Sequence, residues 1–229
     1  MRVGYALAIL CGIPLVTLLS AAFGAVSGAV LGLAVFLTGA GIAALSMHRS
    51  YPHHELGLCN AITIGRLALT ASLVAILVAP VPLTASDMWL AFAVAVLALA
   101  LDGVDGWAAR RAGLASRFGA RFDMEVDSFF ALVLSAIAFQ TGQAGLWILA
   151  LGLPRYMFVG AGAIWPWLTR PVPDSLSRKA VCVLQIGTLV AFLIPVLPAS
   201  LLTLAAAVAA VALVWSFLRD IRTLIALRQ

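Results

Sequence analysis

Charge is what this chain has least of: 229 residues carry 14 basic and 9 acidic side chains. A soluble domain usually gives about a quarter of its residues to charge and roughly half to apolar side chains. Here 10% are charged and 64% are hydrophobic. That excludes a soluble globular domain and a disordered chain alike. Cysteine is scarce too. Cys11, Cys59 and Cys182 stand singly among apolar residues, which argues against a disulfide framework and against a thiolate metal site. Lys and Arg are missing altogether around 24–26, 80–88, 141–144 and 197–199. No internal repeat stands out. The pI near 9.7 would suggest nucleic acid in a soluble protein. In a chain this apolar we expect no nucleic-acid partner, and we read the basic excess as cytoplasmic loops facing anionic lipid or substrate.

What is abundant is apolar sequence in long runs. A bilayer-spanning helix needs about 20 mostly apolar residues. Such runs lie near 4–23, 26–47, 58–80, 88–110, 124–141, 144–168, 178–197 and 199–218. The expected fold is therefore all-α, a polytopic transmembrane helix bundle of about eight spans in contact with the bilayer. Short connections such as Ala79-Pro80-Val81-Pro82, Gly142-Gln143 and Leu197-Pro198 separate the runs. The first run has the outline of a signal peptide, with Arg2 ahead of it and small residues at its end. Its apolar stretch is long for a signal and one basic residue precedes it, so we read it as a span. Twelve of the basic residues, from Arg2 to Arg228, fall at one set of span ends. By the positive-inside rule those ends, and both termini, are cytoplasmic. Arg66 and Arg155 instead lie within the third and sixth runs. Residues 48–57 read as an interfacial connector with Tyr51 at headgroup level. His48, His53, His54 and Glu55 match no zinc spacing.

The chemistry is concentrated in residues 102–127, which hold five of the nine acids: Asp102, Asp105, Asp123, Glu125 and Asp127. A carboxylate at a membrane edge is costly and is a functional candidate by default. On a helix, Asp102, Asp105, Gly106 and Ala109 fall within an arc of roughly 100°. Asp123 and Asp127 are one turn apart on the next helix. Two helix ends joined by a short loop can bring four carboxylates together. They cannot all stay ionised unless something cationic sits among them. Oxygen ligands at this density suit Mg²⁺, Mn²⁺ or Ca²⁺, and carboxylates shared by two metals can hold a diphosphate. Gly106 would let a bulky ligand approach the helix backbone, and Arg110 has the planar fork that meets phosphate. The plainer alternative is an acidic helix end paired with Arg110, Arg111, Arg117 and Arg121. It accounts for any one aspartate, but not for four acids and two glycines at helical spacing.

The run Asp102-x2-Asp105-Gly106-x2-Ala109-Arg110-x8-Gly119-x3-Asp123-x3-Asp127 resembles the full signature of the CDP-alcohol phosphotransferase family. Upstream, Asn60-x2-Thr63-x2-Arg66 resembles the segment that opens the family's first core helix. Lys179 and Gln185 form a weaker match. The resemblance divides the chain into residues 1–57, two additional N-terminal spans with a connector, and 58–229, a six-helix family core. Glu125 and Ser128 depart from the commonest versions of the signature.

The resemblance implies a metal-dependent transferase of phospholipid biosynthesis. It would use two divalent cations, Mg²⁺ or Mn²⁺, to displace CMP from CDP-diacylglycerol by a small alcohol acceptor. It implies Asp102, Asp105, Asp123 and Asp127 as metal ligands, with Asp127 also the catalytic base. Gly106, Arg110, Asn60, Thr63 and Gly119 would bind the CDP donor, and a homodimer is the family's usual assembly. Arg155 and Lys179 are candidates for binding an anionic acceptor. For Arg155 a structural ion pair with a nearby aspartate is the alternative, and for Lys179 it is simple topology marking. Two rival readings remain at this stage. One is a CDP-amino-alcohol:diacylglycerol phosphotransferase. The other is a transporter with a buried acidic site, disfavoured because the acids cluster at one membrane face rather than at the midplane.

Overall fold

The structure, a computed structural model, describes residues 2–24, 26–51, 57–80, 82–112, 116–169 and 175–226, with backbone alone at 2, 49–50, 104–112, 169 and 226. The described residues are mostly helical, and no strand occurs among them. They fall into two compact units, Met1–Val133 and Leu134–Gln229.

In the first unit, α1 (Arg2–Ala22) and α2 (Val26–Ser50) form a hairpin. Gly24 turns it at φ 86°, in the left-handed region that glycine occupies without strain. Both helices pack on α3 (Leu58–Leu73), which runs on as a 3₁₀ turn through Val78. The approach depends on small residues, as in other membrane helix pairs. A Cβ at Gly32 would lie 2.7 Å from Ser20 Oγ and 2.9 Å from Ala71 O. Tyr5 Oη donates to Ala40 O at 2.5 Å, which ties α1 to α2. On another side of α3 lies α4 (Ala85–Ala112). Thr84 caps α4 by accepting from Asp87 N, and Asp87 Oδ2 accepts from Thr84 N in return.

Then comes α5 (Arg117–Gln140). It begins seven residues before the apolar run that announced it. Ser116 is the reason: its Oγ accepts from Gly119 N and starts the helix in polar sequence. Asp123 and Asp127 therefore sit in its second and third turns and not at its tip.

The second unit contains α6 (Leu149–Gly152), α7 (Pro154–Ile164), α8 (Leu176–Ala191) and α9 (Ala199–Ala226). The expected span 144–168 is broken. Its two halves meet at 68° across Leu153, because Pro154 cannot continue the preceding helix. Gln185 Nε2, on α8, donates to Leu151 O beside the break. Arg155, expected near mid-helix, is instead in the first turn of α7.

Five described helices are long and apolar enough to cross a membrane, or six if the bent pair is one span. The all-helical expectation holds among the described residues, and the count of about eight spans is not confirmed by these helices. The other two runs became α5, whose first turns are charged, and α8. With 16 residues, α8 is about 24 Å long, short of a hydrocarbon core of about 30 Å. Pro195 and Pro198 stop it before the end of its apolar run.

Candidate metal site

Three helices bring the charged groups together. Arg66 projects from α3, Asp102 from α4, and Asp123 and Asp127 from α5. The arginine is 2% exposed, whereas the aspartates are 36%, 36% and 33% exposed. Arg66 Nη1 lies 2.8 Å from Asp102 Oδ1. The same nitrogen also donates to Asp123 Oδ1, and Nη2 donates to Asp127 Oδ1. Nε completes the set by donating to Ala98 O at 3.2 Å. A planar fork can serve two helices at once in this way; an ammonium could not match that geometry.

Charge balance shows what the cluster can still accept. Three carboxylates face one guanidinium, which leaves two negative charges among these four residues when all are ionised. One oxygen from each aspartate lies within 4.8 Å of the others. Hard oxygen donors, so spaced and one-third exposed, fit a divalent cation such as Mg²⁺ or Mn²⁺. Of Asp105, Gly106 and Arg110 the backbone alone is described, as part of α4. Residues 53–55 of the histidine-rich stretch lie outside the described residues.

Arg66 is the member of the cluster that the motif spacing alone does not place there. The spacing Asn60-x2-Thr63-x2-Arg66 puts it on the third helix and says nothing of the acids on the next two. The signal was available: an arginine inside an apolar span needs an anionic partner.

The proposed donor-site helpers have other immediate partners. Asn60, 1% exposed, donates from Nδ2 to Tyr51 Oη at 3.0 Å. Thr63, also buried, donates to Cys59 O at 2.9 Å. A Cβ on Gly119 would lie 3.1 Å from Asn60 Oδ1, so Gly119 lets α5 pass close to α3. Tyr51, expected at headgroup level, is half-buried between these helices.

In the second unit, Arg155 is half-buried and Lys179 is exposed near the start of α8. Beside Lys179, Arg178 Nε pairs with Asp220 Oδ2 at 2.9 Å. Arg219 donates to Ser175 Oγ at 3.0 Å and also to Ser177 Oγ, and it lies 5.2 Å from the centre of the Trp215 ring.

A family profile described as CDP-alcohol phosphatidyltransferase matches residues 56–221. The chain belongs to the CDP-alcohol phosphatidyltransferase family. This is a membrane transferase family, and its divalent-metal chemistry agrees with the donor set just described. No curated protein and no solved structure matches the chain. The CDP-alcohol phosphatidyltransferase match takes in α3 to α8 and most of α9, with Arg66 and all four signature aspartates. It leaves α1, α2 and Tyr51 outside.

Proposed function

We propose that this enzyme transfers a phosphatidyl group from CDP-diacylglycerol to a small water-soluble alcohol, with release of CMP. The observation that carries the reading is the convergence of Asp102, Asp123 and Asp127 from two helices, within a chain of this family. Asp105 is the fourth ligand of a two-cation site. Bound there, the cations would neutralise the donor diphosphate and make CMP a better leaving group.

The chain's own residues do the rest. Asp127 takes the proton of the acceptor hydroxyl. The freed oxygen bonds to the lipid-side phosphorus, the bond from that phosphorus to the bridging oxygen breaks, and CMP leaves with the electron pair. Gly106 keeps the α4 backbone open to the nucleotide, and Arg110 meets phosphate oxygens. Asn60, Thr63 and Gly119 serve the donor site by holding α3 and α5 at close approach. Arg155 and Lys179 attract an anionic acceptor. The topology we propose has eight spans, with α5 and α8 as the two least apolar. Both termini and the acid cluster lie on the cytoplasmic side, in line with the charge asymmetry of the loops. A homodimer accords with the family's usual assembly.

Lipid product analysis tests this. Purified protein is given CDP-diacylglycerol, Mg²⁺ or Mn²⁺, and serine, glycerol 3-phosphate, inositol, inositol phosphate or choline in turn. One acceptor should yield a new phospholipid and an equal amount of CMP. Product formed only from diacylglycerol and a CDP-amino-alcohol would reverse the substrate roles.

A further inference from the structure

The family match begins at residue 56, yet the acid-bearing helix is packed against what precedes it. We propose that Tyr51, at the end of α2, is a positioning residue for Asp123 and Asp127.

Tyr51 joins three helices. Its hydroxyl oxygen accepts from Asn60 Nδ2 at 3.0 Å and from Gly57 N at 3.3 Å, which pins the start of α3 to the end of α2. Its ring meets Phe118 of α5 edge to face, with centroids 5.7 Å apart and planes at 74°. Phe118 in turn stacks on Phe122 at 5.9 Å. Phe118, Phe122 and Val126 follow one another at a spacing of four residues, so they form one stripe of α5. All three are buried in a core shared with Val16 of α1, Phe36 of α2 and Ile64 of α3.

This stripe sets the rotation of α5 about its axis. Asp123 follows Phe122, and Asp127 follows Val126, each displaced by about 100° around the helix. Once the stripe is seated, both carboxylates are aimed toward Arg66. Asn60 fixes the distance as well as the rotation, since its Oδ1 faces Gly119 while its Nδ2 is held by Tyr51. Removing the Tyr51 hydroxyl would leave a buried amide without that acceptor, and removing the ring would unseat Phe118. Either change reaches the aspartates through α5 without touching them. Groups behind metal ligands tune affinity by fixing ligand orientation.

The test compares Tyr51→Phe and Tyr51→Leu with the wild type, in one detergent. Mn²⁺ binding is read from the electron paramagnetic resonance signal of the free ion, and kcat and KM for CDP-diacylglycerol are measured separately. The activity arm rests on the phosphatidyl-transfer reading; the Mn²⁺ arm does not. We expect Mn²⁺ affinity to fall about threefold to tenfold in Tyr51→Phe, the scale of one hydrogen bond, and further in Tyr51→Leu. The loss in kcat should be regained at high Mn²⁺. Tyr5→Phe, which removes the α1–α2 bond to Ala40, is the control for a purely structural effect. It should lower thermal stability and leave Mn²⁺ affinity unchanged. Equal Mn²⁺ affinity in folded Tyr51→Leu and the wild type, or no Mn²⁺ binding by either, would overturn the proposal. Mn²⁺ binding that follows this pattern without CMP release would support the positioning role and overturn the proposed activity alone.

Discussion

Arg66 Nη1 stands 2.8 Å from Asp102 Oδ1, and through that guanidinium α3 holds both α4 and α5. The arginine is thus a structural cation within an acidic cluster that could also hold a metal ion. Removing one partner from a buried charge cluster typically costs about 3–5 kcal/mol. The three aspartates are about one-third exposed, so we expect Arg66→Gln to lose less than that in EDTA, and to regain part of the loss when Mn²⁺ is added. Arg66→Lys should fall between, because a single ammonium cannot reach all three aspartates and Ala98 O. Thermal unfolding in detergent, with and without Mn²⁺, measures both effects. An unchanged midpoint for Arg66→Gln would show that the cluster does not depend on the guanidinium.

Asp127 and Glu125 test the assignment of the base. They lie two residues apart on α5 and so point roughly 160° away from each other. A positioned base contributes about 10² to 10⁴ in rate. Asp127→Asn should lose turnover by at least the lower figure and keep measurable donor binding. Glu125→Gln should stay within about tenfold of the wild type, a 1.4 kcal/mol effect. CMP release and donor binding are measured on both variants. The reverse ranking would remove Asp127 from the role of base.

Two glycines with different surroundings test the close approach of α3 and α5. A Cβ at Gly119 would press on Asn60 Oδ1 and Ser116 Oγ, whereas one at Gly103 would meet nothing within 4 Å. Gly119→Leu should cost about 1–3 kcal/mol by overpacking and weaken Mn²⁺ binding. Gly103→Ala should be neutral or stabilising by a few tenths, since alanine favours the helix. Thermal unfolding of the pair decides it, and equal effects would mean that helix propensity alone is being read.

Gln185 offers a test in the second unit. It donates to Leu151 O beside the break before Pro154, where bilayer lipid would offer that carbonyl no partner. Gln185→Leu should destabilise by about 1–3 kcal/mol, and Gln185→Glu should do the same wherever its carboxyl is ionised, since a carboxylate only accepts. Unfolding midpoints read both variants.

Much of this was legible in the sequence because intramembrane charge is rare. Asp102, Asp123 and Asp127 stood out by type and spacing, and the structure brings them together. The reach of Arg66 was not legible, since it depends on which side of α3 faces α4 and α5. The partners of Tyr51 were not legible either: an aromatic residue beside an apolar run does not show which helix its ring will meet, and its packing on Phe118 depends on the tertiary fold. The early start of α5 was hidden because the apolar period begins after its first two turns, although Ser116 is a recognisable cap. The break at Pro154 was marked by the proline itself. Residues 144–168 are long enough for one span, and the proline divides them all the same.

The most direct test of the central claim is CMP release from CDP-diacylglycerol by the purified protein, with the acceptor panel present, in EDTA and then after addition of Mg²⁺ or Mn²⁺. The wild type should be silent in EDTA and active with either cation, while Asp102→Asn and Asp123→Asn should need far more metal for far less product. CMP release that is equal in EDTA and Mn²⁺, or undiminished in Asp123→Asn, would contradict a metal-dependent transfer at this cluster.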